Sequence, residues 1–299
     1  MGIQNETINN HQASTKLPRN VWAVSLTSFF MDISSEMVMN ILPLFLSNVL
    51  GVKTNIIGII EGVAEATASL LKLFSGWLSD RLQGRKWIAV AGYGLSAAVK
   101  PLFYFANTWG MIAGVRWVDR VGKGIRTAPR DALVADSVVE KTRGFAFGFQ
   151  RAADTAGAVV GIIIAIIVIW LVQANSVALG VSTFRTVVLI SLVPALLAVL
   201  SLAIGAKDVP VKGEQRAPKF ALKSLGKPFV IFMIIMSIFD LGNSSDAFLI
   251  LRAQERGLSV IGILLMLMVF NLIYALLSAP AGGLSDRVGR RRLITAGWL

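Results

Sequence analysis

Long uninterrupted runs of apolar residues constrain this chain more than any other feature of its sequence. Residues 158–172 contain no charged side chain, and similar runs recur along the chain. About 20 apolar residues span a bilayer core, and the backbone must then be helical because lipid offers it no hydrogen-bond partners. Charged residues make up only 15% of the chain, against about 25% in soluble domains. The sequence therefore predicts an all-α integral membrane protein in contact with a lipid bilayer.

The apolar runs divide the chain into eight complete predicted spans and the beginning of a ninth. A polar tail at 1–20 precedes a bundle at 21–205, and a polar linker at 206–227 separates it from a second bundle at 228–299. We predict the spans at 21–49, 55–79, 86–106, 109–136, 145–172, 184–205, 228–251 and 258–284, with the ninth beginning near 292.

Positive charges outside the spans are distributed asymmetrically. Lys and Arg residues collect in the tail and in the connections after spans 2, 4, 6 and 8, whereas the alternate connections carry only Lys53, Arg185, Arg252 and Arg256. Basic loops face the cytoplasm, so we expect a multi-pass protein of the inner (cytoplasmic) membrane with a cytoplasmic N-terminus. The net charge of +12 is then a signal of orientation, and we expect no nucleic-acid partner.

The inventory of reactive side chains argues against an enzyme. The chain has no cysteine, and its one histidine, His11, lies in the polar tail. Thiolate metal sites, His-based metal sites and Ser-His-Asp catalysis are therefore excluded. We expect neither a cofactor nor a bound metal.

A short charged motif follows span 2 and recurs after span 8. The first copy runs from Gly76 through Asp80 to Lys86, and the second runs from Gly282 through Asp286 to Arg291. Two copies after spans of equal parity indicate two parallel six-helix halves. The residues that define the motif and its expected acceptor are Gly76, Asp80, Arg81, Gly84, Arg85, Lys86 and Asp136, and then Gly282, Asp286, Arg287, Gly289, Arg290 and Arg291.

This motif resembles the signature loop of the major facilitator superfamily (MFS). The run from Asp119 to Asp131 resembles a prokaryotic branch of generically named transporters in that family. The resemblance implies a twelve-helix fold of two bundles, a monomer and a cytoplasmic latch in which Asp136 accepts Arg85 or Lys86. It also implies that this chain ends inside helix 9.

Many ionisable residues fall inside the predicted spans, where each costs about 2.5–3.5 kcal/mol at a helix centre unless it is paired or wet. Asp32 and Glu36 share a helix face, because they are four residues apart. The resemblance places spans 1, 4 and 7 around a cavity. The transport and coupling candidates are Asp32, Glu36, Arg120, Lys123, Asp240 and Asp246, whereas we expect static ion pairs at Lys72, Lys100, Glu61, Glu65, Arg151 and Asp154.

The resulting functional prediction is a secondary transporter that moves a small solute by alternating access, coupled to protons. Asp32 or Glu36 would take up the proton, with Arg120 or Lys123 as its partner. Efflux is favoured by family frequency alone, and uptake of a charged metabolite is the alternative direction. A second alternative is a truncated fragment that transports nothing.

Overall fold

The computed structural model describes residues 17–82, 84–174, 176–209, 226–242, 244–288 and 290–298, and all regular structure in these ranges is helical. The tail at 1–16 and most of the predicted linker, 210–225, lie outside the described residues. The helices are α1 (Arg19–Met39), α2 (Leu42–Asn48), α3 (Thr54–Leu82), α4 (Arg85–Val99), α5 (Leu102–Phe105), α6 (Trp109–Asp136), α7 (Glu140–Gln173), α8 (Val181–Gly205), α9 (Lys227–Gly242), α10 (Asp246–Glu255), α11 (Val260–Val288) and α12 (Arg290–Trp298).

Three of the predicted spans are interrupted by a break in the helix. The first breaks at Asn40 and Ile41, ahead of Pro43, and the third breaks at Lys100 and Pro101. Proline has no N–H to donate to the carbonyl four residues earlier, which accounts for both breaks. The seventh predicted span, 228–251, contains a break because α9 ends at Gly242 and α10 begins at Asp246, and the segment 227–255 is still long and apolar enough to cross a membrane. Glycine and serine favour such a break, since serine hydroxyls compete for backbone hydrogen bonds.

Six segments of the described chain are long and apolar enough to cross a membrane. They are 19–48, 85–105, 142–173, 181–205, 227–255 and 260–277. The remaining long helices, α3 with 29 residues and α6 with 28, carry most of the charged side chains in the interior. These two helices pack against each other, so the charges of one lie opposite those of the other.

The first bundle consists of two tightly packed groups of helices. In one group, α1 packs against α7 and α8, and in the other, α6 packs against α3 and α4. Glycines allow the closest approaches, because a Cβ at Gly157 or Gly161 would lie 2.4 or 2.6 Å from a backbone oxygen of α1. Contacts between α1 and α6 themselves are sparse. The polar faces of these two helices therefore lie on either side of the interior.

The helices of the second bundle touch the first bundle unevenly. We call the end where α1 begins and α3, α6 and α8 terminate the basic end. At the other end, the ring of Phe248 on α10 lies against Gly58 on α3, and Gln254 donates to the carbonyl of Val177 at 2.7 Å. By contrast, none of the residues of α9 is buried. Among the described side chains, the contacts between the two parts of the chain thus lie away from the basic end.

The close approach of α7 to α1 can be tested by replacing a glycine of α7 with alanine, which adds one methyl group. Gly157→Ala places a Cβ 2.4 Å from the carbonyl oxygen of Phe29, a backbone atom that cannot rotate away. We expect a loss of about 1–3 kcal/mol of stability, seen as a lower thermal unfolding temperature of the purified protein in detergent. Gly148→Ala on the same helix meets nothing within 4 Å and should be neutral or slightly stabilising. Equal unfolding temperatures for the two variants would contradict this packing.

Candidate functional site

Two ion pairs connect α6 to α3 in the interior. The guanidinium of Arg116 is bidentate to Glu61, with Nε 3.1 Å from Oε1 and Nη2 2.5 Å from Oε2. One turn further along α6, Nε of Arg120 lies 3.2 Å from Oε1 of Glu65. Both glutamates thus form the interhelical pairs predicted for them. Because they are paired, these four charged side chains can lie among apolar helices at a much lower cost in free energy than unpaired charges.

The same face of α6 continues as a strip of cations. Arg116, Arg120, Lys123 and Arg130 recur at intervals of three, four and seven residues, which places them on one side of the helix. Arg130 binds Asp131 at 2.8 Å. Lys123 is exposed, and among the described residues no carboxylate lies within 4.0 Å of its ammonium group. Lys123 is therefore the cation of this strip that remains open to another partner.

The two acids of α1 occupy different surroundings. Glu36 accepts a hydrogen bond from the side chain of Asn40 at 2.9 Å, which fixes one of its oxygens. It interacts electrostatically with Arg120 and Lys123 of α6 and with Asp246 of α10. Within the described part of the chain, neither Asp32 nor Glu36 has a cation within 4.0 Å.

Asp32 faces a second acid, Asp154 of α7, with which it interacts electrostatically. The amide of Gln150 donates to Asp154 at 3.1 Å and to the hydroxyl of Ser28 at 3.3 Å. Arg130 reaches the same hydroxyl at 3.3 Å. A polar network therefore joins α1, α6 and α7 beside Asp32. The pair predicted for Arg151 and Asp154 exists at 3.8 Å, but it lies within α7 and joins no second helix.

The two candidate acids of the second bundle are separated by the break between α9 and α10. Asp246 is the first residue of α10, and it is close enough to Glu36 to interact with it. Asp240 is exposed on α9, whose residues are not buried against the first bundle. The structure thus brings Asp246 within electrostatic range of Glu36 on α1, whereas Asp240 is exposed on α9.

Lys100 is the most unusual cation of the interior, because its side chain is fully buried. Its ammonium group donates to the hydroxyls of Ser34 and Ser35, the latter at 3.3 Å, and lies 3.8 Å from the sulfur of Met31. No described carboxylate lies within 4.0 Å of it, so the ion pair predicted for Lys100 is wrong. The serines of α1 replace the acid, which the spacing of charges alone could not reveal. Lys72 is exposed, and the ion pair predicted for it is absent from the described residues too.

Arg126 is a second buried cation that the sequence did not single out as a site. It lies over the ring of Tyr93 at 4.4 Å and donates to the hydroxyl of Ser96 at 2.9 Å. Both partners belong to α4, so the guanidinium fastens α4 to α6. Among the described residues, no group of three or more acids or histidines is placed to hold a metal ion.

The first copy of the charged motif lies at the basic end. Nε of Arg85 is 2.9 Å from Asp136, and its Nη2 is 3.3 Å from Asp80, so one guanidinium joins the ends of α3 and α6. Gly84 precedes the first turn of α4, and Gly76 faces Ala128 of α6 at a Cβ distance of 3.3 Å. Arg81 and Lys86 lie over the rings of Trp77 and Trp87.

The residues after α8 also bind this motif, which sequence reasoning missed. The carboxylate of Asp208 accepts from the backbone N–H groups of Arg85 and Lys86 at 3.0 and 2.8 Å. Asn20 donates to the carbonyl of Lys207 at 2.8 Å and accepts from its N–H at 2.8 Å. An acid at the N-terminus of a helix satisfies free N–H groups and favours the helix dipole. Only the fold brings Asp208 to the start of α4, so the spacing of residues along the chain carries no signal of this contact.

The second copy of the motif spans the end of α11 and the start of α12. The side chains of Gly282, Asp286, Arg287, Gly289, Arg290 and Arg291 lie outside the described residues. Their predicted role therefore stays a prediction.

Comparison with known families identifies the fold. The family model described as Major Facilitator Superfamily matches residues 24–299. An uncharacterised MFS-type transporter of Methanocaldococcus jannaschii is 35% identical over 297 residues, covering 97% of this chain and 72% of the relative. An uncharacterised protein of Mycobacterium tuberculosis is 34% identical over 113 residues, which cover 38% of this chain.

Solved transporter structures share the fold at low sequence identity. A D-xylose–proton symporter matches 91% of this chain and 70% of its own length with a TM-score of 0.67 and 13% identity. A bacterial homologue of the human lysosomal transporter Spinster, in an inward-facing conformation, matches 92% of this chain with a TM-score of 0.66 and 17% identity. The chain spans about half the length (52%) of a bacterial homologue of human peptide transporters that it matches with a TM-score of 0.58.

The role of Asp208 is testable by separating its acceptor function from its charge. Asp208→Ala leaves the first N–H groups of α4 without their acceptor, which costs about 0.5–2 kcal/mol at helix N-caps. We expect faster hydrogen exchange at the amides of Arg85 and Lys86, measured by mass spectrometry. Asp208→Asn keeps an acceptor oxygen and should retain most of the protection. Unchanged exchange in Asp208→Ala would contradict the cap.

Proposed function

Because the chain belongs to the Major Facilitator Superfamily, we propose that it carries a small solute across the cytoplasmic membrane by alternating access, driven by protons. The observation that carries this proposal is the pair of carboxylates on α1, Asp32 and Glu36, which lie opposite the cationic strip of α6 without an ion-pair partner in the described structure. Unpaired acids between transporting helices are costly unless they bind something, and they are the default candidates for proton relays.

We assign the proton to Asp32. Its neighbour Asp154 adds negative charge, and a second carboxylate close by favours the protonated form of one member of the pair. Gln150 donates to Asp154, and both Gln150 and Arg130 donate to the hydroxyl of Ser28 on α1. Taking up a proton at Asp32 removes one charge from the interior and changes how α1 is attracted to Arg126 and Arg130 of α6. Protonation would thus be linked to the relative positions of α1 and α6.

The uneven contact between the two parts of the chain supports a conformation that is open at the basic end. Away from that end, Phe248 covers Gly58, and the N–H of Val260 donates to the carbonyl of Ser176 at 3.1 Å. At the basic end, Arg85 joins Asp80 and Asp136 within the first bundle alone. With the basic end in the cytoplasm, as the positive-inside rule implies, this is an inward-open state. The motif containing Arg85 would then act as a latch that changes partners when the cavity closes.

The direction of solute transport and the activity of this chain on its own are tested separately. We propose export over uptake on the frequency of exporters in the family, and net inward accumulation of a radiolabelled solute in cells producing the protein would reverse that choice. The chain covers only part of the length of its structural relatives. Activity of this particular polypeptide is therefore part of what the flux measurements below decide.

Neutralising Asp32 should uncouple transport from protons. In liposomes containing a pH-sensitive dye and the purified protein, a transported solute should change the internal pH. We expect Asp32→Asn to abolish this solute-dependent proton flux while exchange of labelled solute across the membrane continues. Glu140→Gln, an exposed acid at the start of α7, is the matched control. Normal proton flux in Asp32→Asn would remove Asp32 from the mechanism, and no flux with any solute in the unchanged protein would contradict transport by this chain.

The closed end should open when Gly58 is enlarged. A Cβ at Gly58 would lie 2.6 Å from the ring of Phe248, so Gly58→Leu forces α10 away from α3. The chain has no cysteine, so Ala247→Cys provides one buried thiol beside this contact. We expect a membrane-impermeant maleimide added outside cells to label this thiol faster when Gly58→Leu is present. Gly62→Leu, where a Cβ meets nothing within 4 Å, should leave labelling slow, and equal rates for the two would contradict the proposed closure.

A further inference from the structure

The charges that remain unpaired between α1, α6 and α10 define the class of solute that fits. We infer that the transported solute is a zwitterion whose ammonium group binds between Glu36 and Asp246 and whose carboxylate binds Lys123. This inference rests on the proposed transport function and adds the substrate class.

Most of the interior charges already have partners. Arg116 and Arg120 are bound to Glu61 and Glu65, and Arg130 is bound to Asp131. These pairs are close, at 2.5–3.2 Å, and a solute would have to break them in order to use their charges. Apart from Asp32, to which we assign the proton, and Arg126, which binds Tyr93 and Ser96, the charged groups without an ion-pair partner on the described parts of the facing helices are Glu36 on α1, Asp246 on α10 and Lys123 on α6.

Glu36 and Asp246 form the negative pole of this site. Asn40 holds Oε2 of Glu36 at 2.9 Å, and no described residue donates a hydrogen bond to Oε1. Asp246 is exposed and lies within electrostatic range of Glu36, so the two like charges repel each other. A primary ammonium group offers three donors and one positive charge, which suits a gap between two carboxylates. Binding there replaces a repulsion by two attractions.

Lys123 forms the positive pole. Its ammonium group is exposed and interacts electrostatically with Glu36 and Glu65, but it lies more than 4.0 Å from every carboxylate in the described residues. Lysine is a compact charge on a flexible stem, so it can reach a solute carboxylate without fixed geometry. Arg120 lies one turn away and adds positive potential, although it already forms an ion pair with Glu65.

Opposite poles on facing helices discriminate against singly charged solutes. A bare cation between Glu36 and Asp246 would be repelled by Lys123 and Arg120, and a bare anion at Lys123 would be repelled by Glu36. A zwitterion satisfies both poles and adds no net charge to the interior, where uncompensated charge is costly. Charge complementarity of this kind suppresses wrong partners more than it increases affinity.

The position of the negative pole also gives the solute a mechanical effect. Glu36 belongs to the first bundle, and Asp246 belongs to α10 of the second. A solute ammonium group between them attracts both carboxylates and draws the two bundles together. A ligand shifts a conformational equilibrium only if it makes different contacts in the two conformations. A solute ammonium group that contacts both Glu36 and Asp246 when the bundles are close, and only one of them when the bundles are apart, makes such a difference. Asp32 remains free to carry the proton independently.

The test compares matched probes on the purified chain in lipid nanodiscs. Thermal unfolding is measured with the zwitterions glycine, 4-aminobutanoate and glycylglycine, the cation n-butylamine, the anion butanoate, and sodium chloride, at equal millimolar concentrations. We expect at least one zwitterion to raise the unfolding temperature by several degrees and the singly charged probes to have little effect. Stabilisation by n-butylamine or sodium equal to that by the best zwitterion, or no stabilisation by any zwitterion, would overturn the inference.

Variants then assign the two poles. Glu36→Gln, Asp246→Asn and Lys123→Gln should each weaken binding of the stabilising zwitterion at least tenfold, and Lys123→Arg should restore most of it. Arg143→Gln, an exposed cation outside the site, is the control, and unfolding temperatures without probe show whether each variant is folded. Retained affinity in Lys123→Gln would contradict the positive pole. Proton flux driven only by a solute that is not a zwitterion would overturn this inference and leave the proposed transport intact. Zwitterion binding without any flux would contradict the proposed transport and leave the binding site intact.

Discussion

The pairing of charges between α3 and α6 is the interaction on which the rest of this interior depends. Both helices lie among apolar neighbours, and each carries charges that would be costly in lipid without partners. Arg116 with Glu61 and Arg120 with Glu65 neutralise one side of α6. Further along the same strip, Arg130 reaches the hydroxyl of Ser28 on α1. Lys123 lies between Arg120 and Arg130 in the strip and has no carboxylate within 4.0 Å among the residues described.

Close helix packing serves the same arrangement from the other side. Gly157 and Gly161 bring α7 against the backbone of α1, and Gly122 and Gly92 bring α6 against α4. The helices of each group pack closely, whereas α1 and α6 make few contacts with each other; α4 and α8 also join the two groups. Relative movement of two rigid groups is less costly than deformation within either, because packed interiors resist change in volume. The polar residues proposed for proton and solute binding lie at this boundary between the groups.

The sequence predicted the class of fold well, because the signals involved are local. Apolar run length predicted eight spans; six segments of the described chain are long and apolar enough to cross a membrane, and α3 and α6 match the other two in position. Proline accounts for the breaks near Pro43 and Pro101. The repeated charged motif carried the resemblance to the family that the comparison with residues 24–299 then confirmed. The sequence also predicted interhelical pairs for Glu61 and Glu65. Sequence patterns did not predict the uncharged partners of Lys100 or the distant partners of Asp208. They also did not predict the break between α9 and α10.

By itself, then, the sequence determined that the chain is a helical membrane protein with a charged motif that occurs twice and with ionisable groups in its predicted spans. Those properties follow from hydropathy and spacing, which need no knowledge of neighbours. Only the tertiary structure decided which of those groups are paired. Lys100 binds serine hydroxyls, Arg116 binds Glu61, and Lys123 has no acid within reach in the described structure. An electrostatic partner is set by distances of a few ångströms across helices, and those distances depend on helix rotation and packing rather than on the order of residues along the chain.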